Sequence, residues 1–228
     1  MVSCKEYEKI LCILEPAYEI PPKIRNRSPL DELVLVILSQ NTSDNNSFLA
    51  FGDLFEKFAN YKKIANSSEK KIADAIRRGG LANQKARWIK NTVEKAHERS
   101  GEYNLDFLSE MKDHEALEYL TSLDGVGPKS ARCVLLFSLG RDFFPVDTHV
   151  FRVSKRLGFI PGKMKSREKA CHYIESVVEP EHRYKLHMTL ILHGRSVCKA
   201  RNPVCKRCPV SHLCNYYLEM IPGNGTEE

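Results

Sequence analysis

The chain has 228 residues and a net charge of +6, and 42% of its residues are hydrophobic while 28% are charged. These values are ordinary for a soluble globular protein of one domain or two small ones. No apolar run reaches the length of a membrane span, and the first residues lead into no signal-peptide pattern, which argues against a membrane or secreted protein. We therefore expect a cytoplasmic protein whose thiols stay reduced.

The positive charge is concentrated in the C-terminal half. Residues 129–207 carry 17 Lys and Arg against 6 Asp and Glu, a balance of +11, whereas the remaining residues have a balance of −5. A basic half on a neutral-to-acidic remainder indicates a polyanionic partner, of which nucleic acid is the commonest. Lysine-rich helix faces in solvent give similar counts, so the charge favours this interpretation without deciding it.

The first strong helix signal begins at Ser28. Ser28 suits an N-cap, Pro29 the first helical position and Asp31 the acid of a capping box, so we predict a helix through Leu38. The run LVLVIL at 33–38 also fits a buried strand by its periodicity, but the cap residues before it favour a helix.

Helical periodicity continues through the rest of the chain. Apolar residues spaced three and four apart predict amphipathic helices, and a pair of glycines at 79–80 ends one of them. With no hairpin of alternating strands and no internal repeat, the sequence predicts an all-α fold. The further helices are predicted around 51–58, 72–76, 86–96, 117–123, 148–157, 166–178 and 181–193.

A glycine-rich turn joins two of these helices. The segment at about 117–137 consists of a helix, the turn DGVG and a second helix, which makes a helix–hairpin–helix. The turn residues Gly125, Val126 and Gly127 can bring backbone N–H groups close to a DNA phosphate, and the start of the second helix suits an anion. An ordinary turn between two helices with glycine caps explains the same residues equally well.

Lys129 follows this turn at an unfavourable place for a cation. With Gly127 as the N-cap and Pro128 as the first residue of the helix, Lys129 is the second residue, at the positive end of the helix dipole. This position favours the neutral amine, which is the form that a Schiff-base nucleophile requires. A surface lysine that binds phosphate beside the hairpin is at least as good an explanation.

Eighteen residues later, Asp147 precedes a helix with apolar Val150, Val153 and Leu157 and therefore suits an N-cap. The same carboxylate can also take part in a reaction. A lysine nucleophile and a carboxylate form a suitable pair for attack at the anomeric carbon of a sugar, because the carboxylate stabilises the positive charge and the amine captures the carbon.

Four cysteines lie close together near the C-terminus with the spacing C-x6-C-x2-C-x5-C. Four thiols within seventeen residues of an intracellular protein indicate a metal centre and not disulfides. Such a set holds either structural zinc or an iron–sulfur cluster, and the spacing alone does not choose between them. The four residues are Cys198, Cys205, Cys208 and Cys214.

The segments LDGVGPKSA at 123–131 and VDTHVFRVSKR at 146–156, together with the cysteine spacing, resemble the helix–hairpin–helix/Gly-Pro-Asp superfamily of DNA glycosylases. Within it, the endonuclease III family is the most similar, and the resemblance covers roughly residues 5–217. It implies that Lys129 and Asp147 are the catalytic residues and that the four cysteines hold a [4Fe-4S] cluster.

The resemblance also implies the domain organisation, with two helical domains flanking a DNA-binding cleft. A six-helix barrel that carries the helix–hairpin–helix is expected at 22–141. An iron–sulfur domain is expected at 1–21 plus 142–217, and a disordered tail at 218–228.

The resemblance further implies how DNA is contacted. In relatives, a glutamine and a leucine fill the gap that an extruded base leaves. The glutamine position falls on Gln40 or Asn41, and the leucine position falls on Leu81, which would otherwise be an ordinary loop leucine. The basic loop around the cysteines contributes Lys199, Arg201, Lys206 and Arg207.

The predicted function is base excision repair by a DNA glycosylase with AP lyase activity, which removes oxidised pyrimidines and cuts 3′ to the abasic site by β-elimination. The expected partner is double-stranded DNA with a damaged or abasic nucleotide, bound by a monomer in the nucleoid. A mismatch or modified-base glycosylase of the same fold, for methylcytosine or for thymine and uracil mismatches, is the alternative. A non-catalytic DNA-binding iron–sulfur protein is a further alternative, although it leaves Lys129 and Asp147 without a joint role.

Overall fold

The computed structural model describes residues 4–23 and 27–220, which contain twelve α-helices and no β-strand. The predicted all-α class is confirmed. No helix in this part of the chain has both the length and the apolar character that crossing a membrane requires. The helices are α1 (Cys4–Leu14), α2 (Pro29–Ser39), α3 (Asp44–Phe58), α4 (Tyr61–Ala65), α5 (Glu69–Ala75), α6 (Ala82–Ser100), α7 (Asp113–Thr121), α8 (Pro128–Leu139), α9 (Thr148–Leu157), α10 (Arg167–Val177), α11 (Pro180–Ser196) and α12 (Asn215–Met220).

The chain divides into two compact units. The terminal unit consists of Met1–Pro22 with Asp142–Glu228, and the central unit consists of Lys23–Arg141. The barrel expected at 22–141 differs from the central unit by one residue at its start.

The central unit is built around α2. Nine of its residues are buried, which explains why the run LVLVIL has no polar face although it is helical. The helix packs on α3, α6 and α8. The Ser28 hydroxyl accepts a hydrogen bond from the Asp31 N–H at 3.1 Å, so the predicted N-cap is confirmed.

The remaining helices of the central unit cover this core. The apolar stripe predicted for α6 is confirmed, because Ala86, Ile89, Val93 and Ala96 are fully buried. Helix α7 packs on α8, and α8 packs on α2. The turn between α7 and α8 is therefore attached to a largely buried helix, α8, which packs on α2.

The terminal unit has its own core, in which α9 packs on α11 and both α1 and α12 contact this pair. Val146, Val150 and Val153 are among its fully buried residues. Tyr216 and Tyr217 pack against the core from α12, which continues to Met220. The tail expected from residue 218 is therefore helical at its start, and its residues 221–228 lie outside the described part of the chain.

Candidate active site

The turn between α7 and α8 needs glycine at one position. Gly125 has a φ of +76°, in the left-handed region that favours glycine, and a Cβ added there would overlap the indole ring of Trp88. Val126 is buried, and its N–H donates to the Leu123 carbonyl at 3.1 Å within the turn. Of the three predicted phosphate-binding residues, Gly127 is the one that is exposed.

Lys129 is the second residue of α8, as predicted. Gly127 is the N-cap with extended backbone, Pro128 is the first helical residue, and the lysine side chain is half-buried. The helix behind it is almost entirely buried from Ser130 to Phe137. A cation at this position opposes the helix dipole and is held on a helix that has little freedom to move.

Asp147 is the N-cap of α9, which confirms the structural half of its predicted role. Its Oδ1 atom accepts a hydrogen bond from the Val150 N–H at 2.7 Å, and the side chain is half-buried. Among the described residues, no hydrogen bond to the second oxygen, Oδ2, accompanies this cap. One carboxylate can therefore cap the helix through one oxygen and present the other to a ligand.

Two loops of the central unit carry the residues predicted to fill the gap in DNA. Gln40, at the end of α2, donates from Nε2 to the Gly125 carbonyl at 2.8 Å and is half-buried. Asn41 next to it is exposed and has a φ of +53°. Leu81, before α6, is 52% exposed and has a φ of +48°, which is a rare conformation for a leucine. Gln40 is thus tied to the hairpin, whereas Asn41 and Leu81 project from their loops.

Lys85 is a residue of this region that the sequence analysis missed. It is fully buried, and its ammonium donates to the carbonyls of Leu38 at 2.7 Å, Gln40 at 2.7 Å and Gly79 at 2.8 Å. Burial lowers the pKa of Lys85 to about 8. The available signal was its register, because Lys85 lies four residues before Ile89 and thus at a position of the apolar stripe of α6, where a lysine is unusual.

The four cysteines line one pocket in the terminal unit. His193 lies on the same pocket, with Nε2 at 3.5 Å from the Cys208 Sγ and Nδ1 at 2.8 Å from the Tyr18 hydroxyl. Burial raises the pKa of the Cys208 thiol to about 11, and the charges of the other three cysteines act in the same direction. Burial also raises the pKa of the Cys214 thiol, so these two thiols favour the neutral form unless a cation is bound.

Two arginines of α9 hold the segment that carries the first cysteine, and the sequence analysis missed both. Arg152 donates to the Cys198 carbonyl at 3.1 and 3.0 Å and to the Gly194 carbonyl at 2.8 Å. Arg156 donates to the Cys198 Sγ at 3.3 Å and to the Lys199 carbonyl at 2.7 Å. Arginines four residues apart on a helix usually face solvent, so the sequence offered no strong signal for this role.

The predicted basic loop surrounds the cysteines and is open to solvent. None of its four cations forms an ion pair within the described residues, so their charge is available to an anionic partner. These exposed residues are Lys199, Arg201, Lys206 and Arg207.

The fit of a metal centre depends on how the donor atoms are arranged. No three His, Cys, Asp or Glu side chains in residues 4–23 and 27–220 surround the position of a single ion. The four cysteine sulfurs instead border a shared pocket, with an arginine donor on one of them. Four cysteine sulfurs on one pocket fit a Cys₄ centre, which is either zinc or an iron–sulfur cluster.

Comparisons with known proteins identify the relatives of this chain. Residues 34–180 match the family described as HhH-GPD superfamily base excision DNA repair protein. The endonuclease III of Sulfolobus acidocaldarius is 36% identical over 199 residues, which are 86% of each chain. A non-covalent endonuclease III–DNA complex is similar with a TM-score of 0.82 and 27% identity, covering 96% of this chain and 98% of the other. A trapped endonuclease III–DNA covalent intermediate is similar with a TM-score of 0.81 and 27% identity, covering 96% and 99%.

The family match spans more than half of the chain, and the similar folds span nearly all of it. The hairpin, the lysine after it and the capping aspartate all lie within the matched residues. The chain therefore belongs to the HhH-GPD superfamily of base excision DNA repair proteins.

Proposed function

We propose that the chain is a DNA glycosylase with AP lyase activity that removes oxidised pyrimidines from duplex DNA. The observation that carries the proposal is Lys129, a half-buried amine on the first turn of α8 directly after the glycine hairpin. Similarity to a protein trapped as a covalent intermediate on DNA supports an amine that bonds to the substrate. The basic loop supports a polyanionic substrate.

In the proposed reaction, the Lys129 amine attacks C1′ of the damaged nucleotide, and the glycosidic electron pair leaves with the base. The sugar ring opens to give a Schiff base between Nζ and C1′. Loss of a proton from C2′ then expels the 3′ phosphate, which cuts the strand by β-elimination. Water hydrolyses the Schiff base and returns the free amine.

We assign Asp147 to the positive charge that develops on the sugar. A carboxylate fixed as a helix cap is already oriented, so it needs no reorganisation when that charge forms. Its cap hydrogen bond occupies Oδ1, and the proposal assigns the chemistry to Oδ2.

The damaged nucleotide has to leave the duplex before C1′ can be attacked. We propose that Leu81 and Asn41 fill the gap that it leaves. Both are exposed on loops, whereas the Gln40 amide is already bonded to the Gly125 carbonyl. Gln40 then serves as a tether between its loop and the hairpin.

We propose that Cys198, Cys205, Cys208 and Cys214 hold a [4Fe-4S] cluster, because all four border one pocket and their spacing resembles that of the endonuclease III family. When bound, the cluster crosslinks the segment that carries the basic loop, and base excision needs no electron from it. Iron and sulfide analysis of the purified protein tests this. Cys12→Ser is the control, because Cys12 is exposed and does not line the pocket, so its loss should leave the iron content unchanged. Zinc without iron would contradict it.

The incision test uses four duplexes, which contain thymine glycol, an abasic site, a G·T mismatch or 5-methylcytosine. The proposal predicts cutting of the first two without alkali, with the sugar remnant of β-elimination on the 3′ end. Preferential excision from the mismatched or methylated duplex would show that those bases, and not oxidised pyrimidines, are the substrate. If the base is released but the strand is cut only after alkali treatment, the protein has no lyase activity.

A further inference from the structure

Packing alone does not explain why a lysine occupies position 85 in the central unit. Its ammonium is fully buried and uses its three protons on the carbonyls of Leu38, Gln40 and Gly79. No carboxylate among the described residues forms an ion pair with it. Burying a charge without a counter-ion is costly, and the hydrogen bonds to these three carbonyls offset that cost.

The three carbonyls belong to the two loops that carry Asn41 and Leu81. Those of Leu38 and Gln40 lie at the C-terminal end of α2, where the helix dipole is negative and a cation is favoured. That of Gly79 lies two residues before Leu81. One ammonium therefore joins two chain segments that are far apart in sequence and that carry the two residues proposed to fill the gap in DNA.

Helix α6 connects the same loops to the hairpin. Trp88, one turn after Lys85, lies directly against Gly125, and the Gly125 carbonyl accepts the hydrogen bond from Gln40. The end of α2, the turn before α6 and the hairpin are thus held by the first two turns of one helix.

We propose that Lys85 is a positioning residue that locks the Asn41 loop and the Leu81 loop into one rigid element, so that both side chains enter the duplex together. This inference rests on the proposed function. The three hydrogen bonds of Lys85 matter when a paired base has to be displaced, and they contribute little when the base is already unpaired.

Lys90 provides a matched control on the same helix. Its ammonium also donates to a backbone carbonyl, that of Ala65 at the end of α4, and it forms an ion pair with Glu94 at 2.7 Å. It contacts neither of the two loops. Replacing either lysine by methionine removes an amine that donates to backbone carbonyls, from a fully buried site at Lys85 and a half-buried one at Lys90. Only the change at Lys85 removes hydrogen bonds to the Asn41 and Leu81 loops.

The experiment compares single-turnover excision of thymine glycol paired with adenine and of thymine glycol opposite an abasic-site analogue. Rates are normalised to the active fraction, measured by borohydride trapping on an abasic duplex. We expect Lys85→Met to lower the paired-to-unpaired rate ratio by about tenfold, since hydrogen bonds from a charged donor are lost. Lys90→Met leaves the ratio as in the wild type. An unchanged ratio in Lys85→Met would overturn the proposal.

Hydrogen–deuterium exchange of the free protein tests, independently of catalysis, whether Lys85 holds the Asn41 loop and the Leu81 loop together. In Lys85→Met, or in Lys85→Gln if the first variant does not fold, exchange should increase together in residues 39–41 and 79–81. A uniform increase across the central unit would mean that Lys85 only stabilises the fold and would overturn the proposal. If the wild type excises nothing, the proposed function fails, and the exchange pattern still decides whether Lys85 joins the two loops.

Discussion

Gly125 lies in a left-handed conformation with the indole ring of Trp88 directly against it. The two constraints are independent, because the first concerns backbone torsion and the second concerns space. At Leu81 the backbone is also left-handed, but the residue is a leucine and is exposed. Strain of this kind persists in proteins mainly where function requires it.

A comparison with Gly101 separates the effect of backbone torsion from the effect of space at Gly125. Both glycines have a φ of +76°, but a Cβ on Gly101 meets no atom within 4 Å. Gly101→Ala should lower the free energy of unfolding by about 1–2 kcal/mol through backbone strain alone. Gly125→Ala should lower it by about a further 1–3 kcal/mol because the methyl group overlaps Trp88. Urea denaturation measures both, and equal losses would show that the indole moves aside freely.

Leu81→Gly should leave the free energy of unfolding nearly unchanged, because relief of about 1 kcal/mol of strain offsets the added flexibility of glycine. Excision of paired thymine glycol should nevertheless fall, since the side chain that fills the gap is gone. Ala59→Gly is the control, because Ala59 has a φ of +62° at the end of α3 and no proposed DNA contact. A similar loss of excision in both variants would count against the role of Leu81.

At the scale of single elements, α9 combines several tasks. Its first turn is capped by Asp147, and its later turns carry Arg152 and Arg156, which hold the Cys198 segment. A rigid α9 therefore links a proposed catalytic residue to the cysteine pocket within the terminal unit.

Substitutions at Asp147 separate capping from chemistry. Asp147→Asn keeps an N-cap acceptor, so the free energy of unfolding should change by less than about 0.5 kcal/mol, whereas Asp147→Ala should cost about 1 kcal/mol. Both should lower the excision rate by about 100-fold, the loss typical of removing one preorganised electrostatic group. Thermal unfolding and single-turnover kinetics on the same samples provide the measurements. Full activity in Asp147→Asn would reduce this residue to a helix cap.

At the scale of the whole molecule, four of the cations behind the charge asymmetry of the sequence lie in the exposed loop around the cysteines. Phosphate contacts release counterions, so each lost contact lowers the salt dependence of DNA binding. This consequence can be tested without knowing which base is excised.

The double variant Lys206→Gln/Arg207→Gln should reduce the slope of log K against log salt by about 1.8, since each phosphate contact contributes about 0.9. The control is Lys70→Gln/Lys71→Gln, which removes two exposed lysines from α5. Fluorescence anisotropy with an undamaged duplex gives the slopes. Equal reductions in both variants would mean that net charge, and not this loop, determines binding.

Local signals predicted most of the elements, because caps and apolar periodicity act within one or two turns. Ser28 and Gly127 begin helices where the sequence indicates. The contacts of Lys85 were not predictable, since its partners are carbonyls up to 47 residues away and carbonyls leave no trace in the sequence. The same reason applies to Arg152 and Arg156, whose partners are mainly backbone oxygens of the cysteine segment.

The central claim is that the Lys129 amine bonds to the sugar, and borohydride trapping tests it most directly. Wild type, Lys129→Ala and the control Lys70→Ala are each mixed with a thymine glycol duplex and an abasic duplex in the presence of borohydride. We predict a covalent adduct on both duplexes for the wild type and for Lys70→Ala, and none for Lys129→Ala. An adduct of undiminished yield in Lys129→Ala, or no adduct in the wild type, would contradict the account.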